Sequence, residues 1–148
     1  MPDSNKRHRK AANDNVRPAF PPPLVETLYG PLNDLTEYAR QARVFGLPVY
    51  ITPSCLETIS RDPAYTGQET TDWRLYDIVW MALFYQPGVP FWQFPVRLFA
   101  DHQRGETADV RLVLDAGRLP LSRRRTAVVI GHPEEVTDLL VRSLRRNG

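Results

Sequence analysis

From Asp72 to Tyr85 the chain carries two of its three tryptophans and, after Asp72, only Arg74 and Asp77 as charged residues. On a 3.6-residue period, Leu75, Tyr76, Ile78, Val79, Trp80, Ala82 and Leu83 fill a wide apolar arc. Arg74 and Asp77 stand three residues apart on the remaining side, within pairing reach. A helix this apolar has to be enclosed. The sequence therefore predicts a buried central helix, capped by Asp72 and stopped by Gln86-Pro87-Gly88, with Trp73 and Trp80 both walled in.

The flanking segments supply what would enclose it. Residues 1–23 read as a disordered, basic, proline-rich tail, and residues 24–148 as a single α+β domain. The run Phe20 to Leu24 favours polyproline II and reads as a stiff spacer. A helix is expected from Asn33 or Asp34, with Glu37 completing a capping box. Its apolar face is Leu35, Tyr38, Ala39, Ala42 and Phe45, and Gly46 stands ready as a left-handed cap. Val49-Tyr50-Ile51 is a short strand or an extended link. Thr52-Pro53 then opens a brief helix with Cys55, Leu56 and Ile59 inward. From Pro63 to Thr71 the composition is that of a surface loop.

Beyond the central helix the period becomes two. Trp92, Phe94, Val96 and Leu98 alternate with polar residues, and Pro95 pushes this strand to an edge or a bulge. A hairpin turn is expected over Asp101–Thr107. A returning strand follows with Val110, Leu112 and Leu114 inward, then a basic loop from Ala116 to Arg125. Thr126–Ile130 is apolar throughout, as a central strand would be. Pro133, Glu134 and Glu135 open a last helix whose inward face is Val136, Leu139, Leu140 and Leu144. The expected fold is α+β: a small three-stranded antiparallel sheet, with or without the short extra strand, and helices packed on one face around the central helix.

Charge and motifs narrow the chemistry. Lys6, Arg7, Arg9, Lys10 and Arg17 face only Asp3 and Asp14, a net +3 in a chain whose total is +2, which leaves the body at −1. A body built for duplex nucleic acid carries its own basic surface, so this balance weighs against that role. Cys55 is the single cysteine, which rules out an internal disulfide or a multi-cysteine metal site. No apolar run approaches the roughly 20 residues of a membrane span, no secretory signal is present, and a cytoplasmic setting is expected. Phosphate-loop, dinucleotide, nucleophile-elbow, zinc-protease and EF-hand motifs are all missing from the sequence. No catalytic residue, cofactor or metal ligand is assigned. Asp77, as a buried acid, and His132, at a helix start beside Glu134 and Glu135, are the two groups an unrecognised enzyme site would use.

Two surfaces remain as contact candidates. Phe91 and Trp92 follow Pro90 in a loop-like setting and read as a protein contact. Lys6, Arg7, Arg9 and Lys10 in the tail, with Arg118, Arg123, Arg124 and Arg125 in the basic loop, read as a nucleic-acid or anion contact.

Gly46-Leu47-Pro48-Val49-Tyr50-Ile51-Thr52, then Arg74-Leu75-Tyr76-Asp77-Ile78-Val79-Trp80-Met81-Ala82, then an apolar strand and Pro133 form an ordered pattern. It resembles a family of small bacterial proteins carried on plasmids and other mobile elements. In that family a proline-valine-x-x-threonine segment precedes an arginine-leucine-tryptophan-aspartate-x-x-tryptophan-methionine-alanine helix. The likeness covers roughly Leu32 to Pro133, and Tyr76 stands where the family has tryptophan. The resemblance brings no catalytic residues. It implies a cytoplasmic bacterial accessory protein of a mobile element. The leading expectation is a non-catalytic protein acting through a protein partner. A nucleic-acid-binding accessory factor is the alternative, and an enzyme with an unrecognised site is the third.

Overall fold

The computed structural model describes residues 21–43, 46–60, 68–84, 90–98 and 110–147. The basic tail, Phe45, Leu98's side chain and the turn expected over Asp101–Thr107 lie outside the described residues or side chains. Six strands form one mixed sheet: β1 (Leu24–Thr27), β2 (Gly30–Asp34), β3 (Val49–Ile51), β4 (Phe91–Leu98), β5 (Val110–Pro120) and β6 (Thr126–Gly131). Their spatial order is β1-β2-β3-β6-β5-β4, with β3 and β6 parallel and every other pair antiparallel. The described helices are α1 (Thr36–Ala42), α2 (Pro53–Ser60), α3 (Gln68–Phe84) and α4 (Pro133–Asn147).

This sheet corrects the expected three-stranded one. The missed hairpin β1–β2 turns through Leu28 and Tyr29, and Gly30 takes the positive φ of 90° that closes it. Thr27 Oγ1 donates to Gly30 O at 2.7 Å and accepts from Tyr29 N at 3.1 Å, so the turn is tied by its own hydroxyl. The chain joins the sheet before β1 begins. Pro22 is buried and its carbonyl accepts from Asn33 Nδ2 at 2.8 Å.

Helices cover both faces of the sheet, where one covered face was expected. Val49, Ile51, Val128, Ile130, Leu114, Ala116, Trp92, Phe94 and Val96 point to the side that α1, α2 and α3 cover. Tyr50, Ala127, Val129 and Leu119 point to the other, where Tyr29, Leu32 and Leu139 of α4 complete a second core. Strand β6 is buried on both faces because it has a helical layer above and below. The Ala116–Arg125 segment is also corrected. β5 runs on to Pro120, pairing Asp115 through Pro120 with Gly131 through Thr126. Gly117 permits this: a Cβ there would stand 3.2 Å from Val136 Cγ1 and 3.5 Å from Leu140 Cδ2, so its bare backbone lets α4 cross.

Local capping departs from the reading in two places. Asp34 belongs to β2 and its Oδ1 accepts from Thr36 N at 2.8 Å, while Leu35 is the residue preceding α1. The left-handed cap is Arg43, at φ 55° and ψ 37°, and Gly46 has no positive φ. Helix α3 begins at Gln68, four residues before the expected Asp72 cap, so the supposed surface loop is partly helical. Pro95 does lie on an edge strand, as its missing N–H requires. Among the described residues no helix is long and apolar enough to cross a membrane.

Candidate functional site

The parallel pair β3–β6 brings together a cluster of hydrogen-bonded polar side chains. Helix α2 leaves β3 toward one face and α4 leaves β6 toward the other, so their N-termini open side by side at the strands' carboxyl ends. Thr52 caps α2, its Oγ1 accepting from Cys55 N at 3.3 Å. The same hydroxyl donates to Glu135 Oε1 at 2.9 Å, Ser54 Oγ donates to Oε2 at 2.7 Å, and His132 N donates to Oε1 at 3.3 Å. Glu135 thus closes a capping box on α4 and ties it to α2. A Cβ on Gly131 would come within 2.8 Å of Thr52 Cγ2, so this junction needs glycine for its close approach.

Thr58 Oγ1 donates to Ser54 O at 3.0 Å and stands 3.1 Å from His132 Nε2. His132 Nε2 is thus engaged with Thr58, and Ser54 Oγ with Glu135. Cys55 is fully buried, and burial, with a smaller push from the Glu135 charge, raises its thiol to about 12. A protonated, enclosed thiol is not a nucleophile. These groups hold the N-termini of α2 and α4 together.

Asp77 is exposed, and its carboxyl is shifted upward by partial burial. Its expected partner, Arg74, is 3% exposed and donates from Nη1 to Ile59 O at 3.0 Å, capping the end of α2. Trp92 is 4% exposed, with its Nε1 donating to Ala82 O at 2.9 Å, so of the two aromatic contact candidates only Phe91 stands at the surface. Arg118 lies on the α3 side of β5, its guanidinium carbon 5.9 Å from the centre of the Trp92 ring. It is separated from Arg123, Arg124 and Arg125, which stand exposed in the β5–β6 turn. Lys6, Arg7, Arg9 and Lys10 lie outside the described residues.

The β5–β6 turn is held by Leu121 N and Ser122 N, both donating to Arg125 O at 2.7 and 3.2 Å. It faces the last turn of α4, where Arg145 and Arg146 are exposed. Between them and the β1–β2 turn lies a cavity of about 440 Å³ lined by Leu28, Tyr29, Pro120, Ser122, Arg123, Ser143 and Arg146. A smaller cavity of about 180 Å³ lies farther along α4, between Tyr29, Pro31 and Thr52 on one side and Glu135, Asp138 and Arg142 on the other. There Arg142 Nη2 is paired with Asp138 Oδ2 at 2.9 Å.

A further surface among the described residues is the outer side of α3. Leu75, Ile78, Val79 and Ala82 are fully buried, yet Trp80 is 55% exposed, which overturns the expectation that its indole is enclosed. The Trp73 side chain lies outside the described set. Beside Trp80 are exposed Asp77 and half-buried Tyr76 and Met81. Tyr76 is fixed from both ends, by a ring contact with Tyr38 at 5.0 Å and by its hydroxyl donating to Gln41 Oε1 at 2.7 Å. The apolar arc read from the sequence is wider than the face that the sheet and α1 cover, and Trp80 is what extends past them. No family model, curated protein or solved structure matches the chain.

Proposed function

We propose that this chain is a non-catalytic accessory protein that engages a protein partner through the outer side of α3, with Trp80 as its anchor. One observation carries the reading: a tryptophan 55% exposed on a helix whose opposite face is fully buried. Tryptophan is the residue most enriched at binding hot spots, and leaving an indole in water costs hydrophobic free energy that a partner recovers. The neighbours have the same character, since Tyr76 and Met81 are residue types enriched at interface cores. Tyr76 is already held in place, so little side-chain entropy is lost when a partner lands on it. The likeness of Arg74–Ala82 to plasmid-borne bacterial proteins adds a setting, an accessory role on a mobile element.

The test uses Trp80→Ala and Trp80→Glu. Because the side chain is mostly exposed, Trp80→Ala should change stability by less than about 1 kcal/mol in a urea titration. Both variants should lose the partner that the wild-type chain captures from bacterial lysate. Full retention of every wild-type partner by a folded Trp80→Glu protein would refute the assignment.

A further inference from the structure

We propose that the cavity between the β1–β2 turn, the β5–β6 turn and the last turn of α4 binds a phosphate-bearing small molecule of about nucleotide size. The proposal is independent of the α3 surface, and different residues carry it. Arg123 and Arg146 line the cavity from separate elements, together with the hydroxyl residues Ser122 and Ser143, and no carboxylate is among its described lining residues. Two arginines lining one cavity offer an anion a shared positive site. Arginine's planar fork matches a phosphate's oxygens, and serine hydroxyls can donate to the rest.

The smaller cavity along α4 is the useful contrast. Its Arg142 is answered by Asp138 at 2.9 Å, and Glu135 lies beside them, so its charge is balanced from within. Among the described residues no carboxylate lines the larger cavity, and exposed Arg124, Arg125 and Arg145 nearby deepen the positive field. The walls are fixed before any ligand arrives. Tyr29 Oη donates to Pro120 O at 2.6 Å, joining the β1–β2 turn to the end of β5, and the Leu121–Arg125 bond closes the opposite side. Leu28, Tyr29 and Pro120 give an apolar surface for the organic part of the ligand. The cavity volume of about 440 Å³ falls in the range of small-molecule sites. A nucleic-acid duplex would need an extended basic surface, and the chain beyond residue 23 carries a net −1.

Calorimetric titration of the full chain with inorganic phosphate, AMP, adenosine and a short single-stranded oligonucleotide tests this. AMP should bind saturably at one site, inorganic phosphate should compete for it, and adenosine should bind at least about tenfold more weakly. Arg123→Gln and Arg146→Gln should each weaken AMP about tenfold. Arg124→Gln, which does not line the cavity, should leave AMP within about twofold. All three positions are at the surface, and far-UV circular dichroism of each variant checks that the fold is kept. Three results overturn the proposal: no saturable binding of either phosphate or AMP, an equal loss in Arg124→Gln, or tight oligonucleotide binding without AMP binding.

Discussion

Replacing Glu135 with alanine probes the junction on which the two helical layers depend. The substitution removes three hydrogen bonds at once, from Thr52 Oγ1, Ser54 Oγ and His132 N. Loss of the capping-box bond and of an acidic charge in the first turn of α4 costs about 1 kcal/mol. Thr52 is 3% exposed, so its hydroxyl is left without an acceptor in a dry site, for about 1–3 kcal/mol more. Ser54 is exposed and turns to water at little cost. The total is about 2–4 kcal/mol, a large share of the roughly 5–15 kcal/mol that holds a domain folded. Urea titration followed by circular dichroism measures it. Cys55 supplies a second readout, because a fully buried thiol raised to about 12 reacts with a disulfide reagent only when the junction opens. Glu135→Gln removes the same charge and so relieves the same push on the thiol, but keeps one oxygen acceptor and should recover most of the stability. Any labelling of Glu135→Ala faster than that of Glu135→Gln reports opening alone. A loss below about 0.5 kcal/mol, with equal labelling in both variants, would refute the bridging role.

Two further substitutions test the packing around the junction and the central helix. Asp115 is buried, and its carboxyl is raised first by burial and then by the Glu134 charge, while the Gln93 Nε2 bond at 3.0 Å partly opposes them. A carboxyl raised in the folded state contributes stability below its unfolded value near 4 and loses that contribution as pH rises through the folded value. Asp115→Asn should therefore raise the melting temperature at pH 7, with the gain shrinking toward pH 4; a pH-independent difference would count against this. Trp92→Phe deletes the bond to the Ala82 carbonyl while keeping most of the ring's volume, and should cost about 1–3 kcal/mol in a urea titration. A neutral result would mean that the carbonyl finds another donor.

Much of the interior was legible because it depends on local periodicity. Thr52 and Pro53 open α2 with Cys55, Leu56 and Ile59 inward, and Trp92, Phe94 and Val96 face the core from an edge strand, all as the residue pattern requires. The layer count was harder, because the hairpin β1–β2 is short and its strands lack clean apolar alternation. One available signal was the run Ala127 to Ile130: a strand apolar on both faces needs cover on both, which a one-sided helical layer cannot provide. Gly117 hid the length of β5, since glycine inside a strand reads as a loop until the helix crossing above it is known. Trp80 marks another limit, because periodicity assigns a residue to a face but does not say how wide the covering neighbour is. The arginine cavity joins turns that are distant in sequence, and only the tertiary structure brings Arg146 to Arg123.

The sheet consists of two sequence-local meanders, β1-β2-β3 and β6-β5-β4, whose described strands pair with each other at the parallel seam where Val49, Tyr50 and Ile51 meet Val128, Val129 and Ile130. Each meander closes over modest stretches of chain, whereas the seam has to gather ends separated by most of the domain before any of its bonds form. Among the described strand pairings, the seam therefore carries the largest loop-closure cost. Lengthening or stiffening the chain between the meanders acts on the rate of reaching the native state through that closure, and much less on the strength of either half.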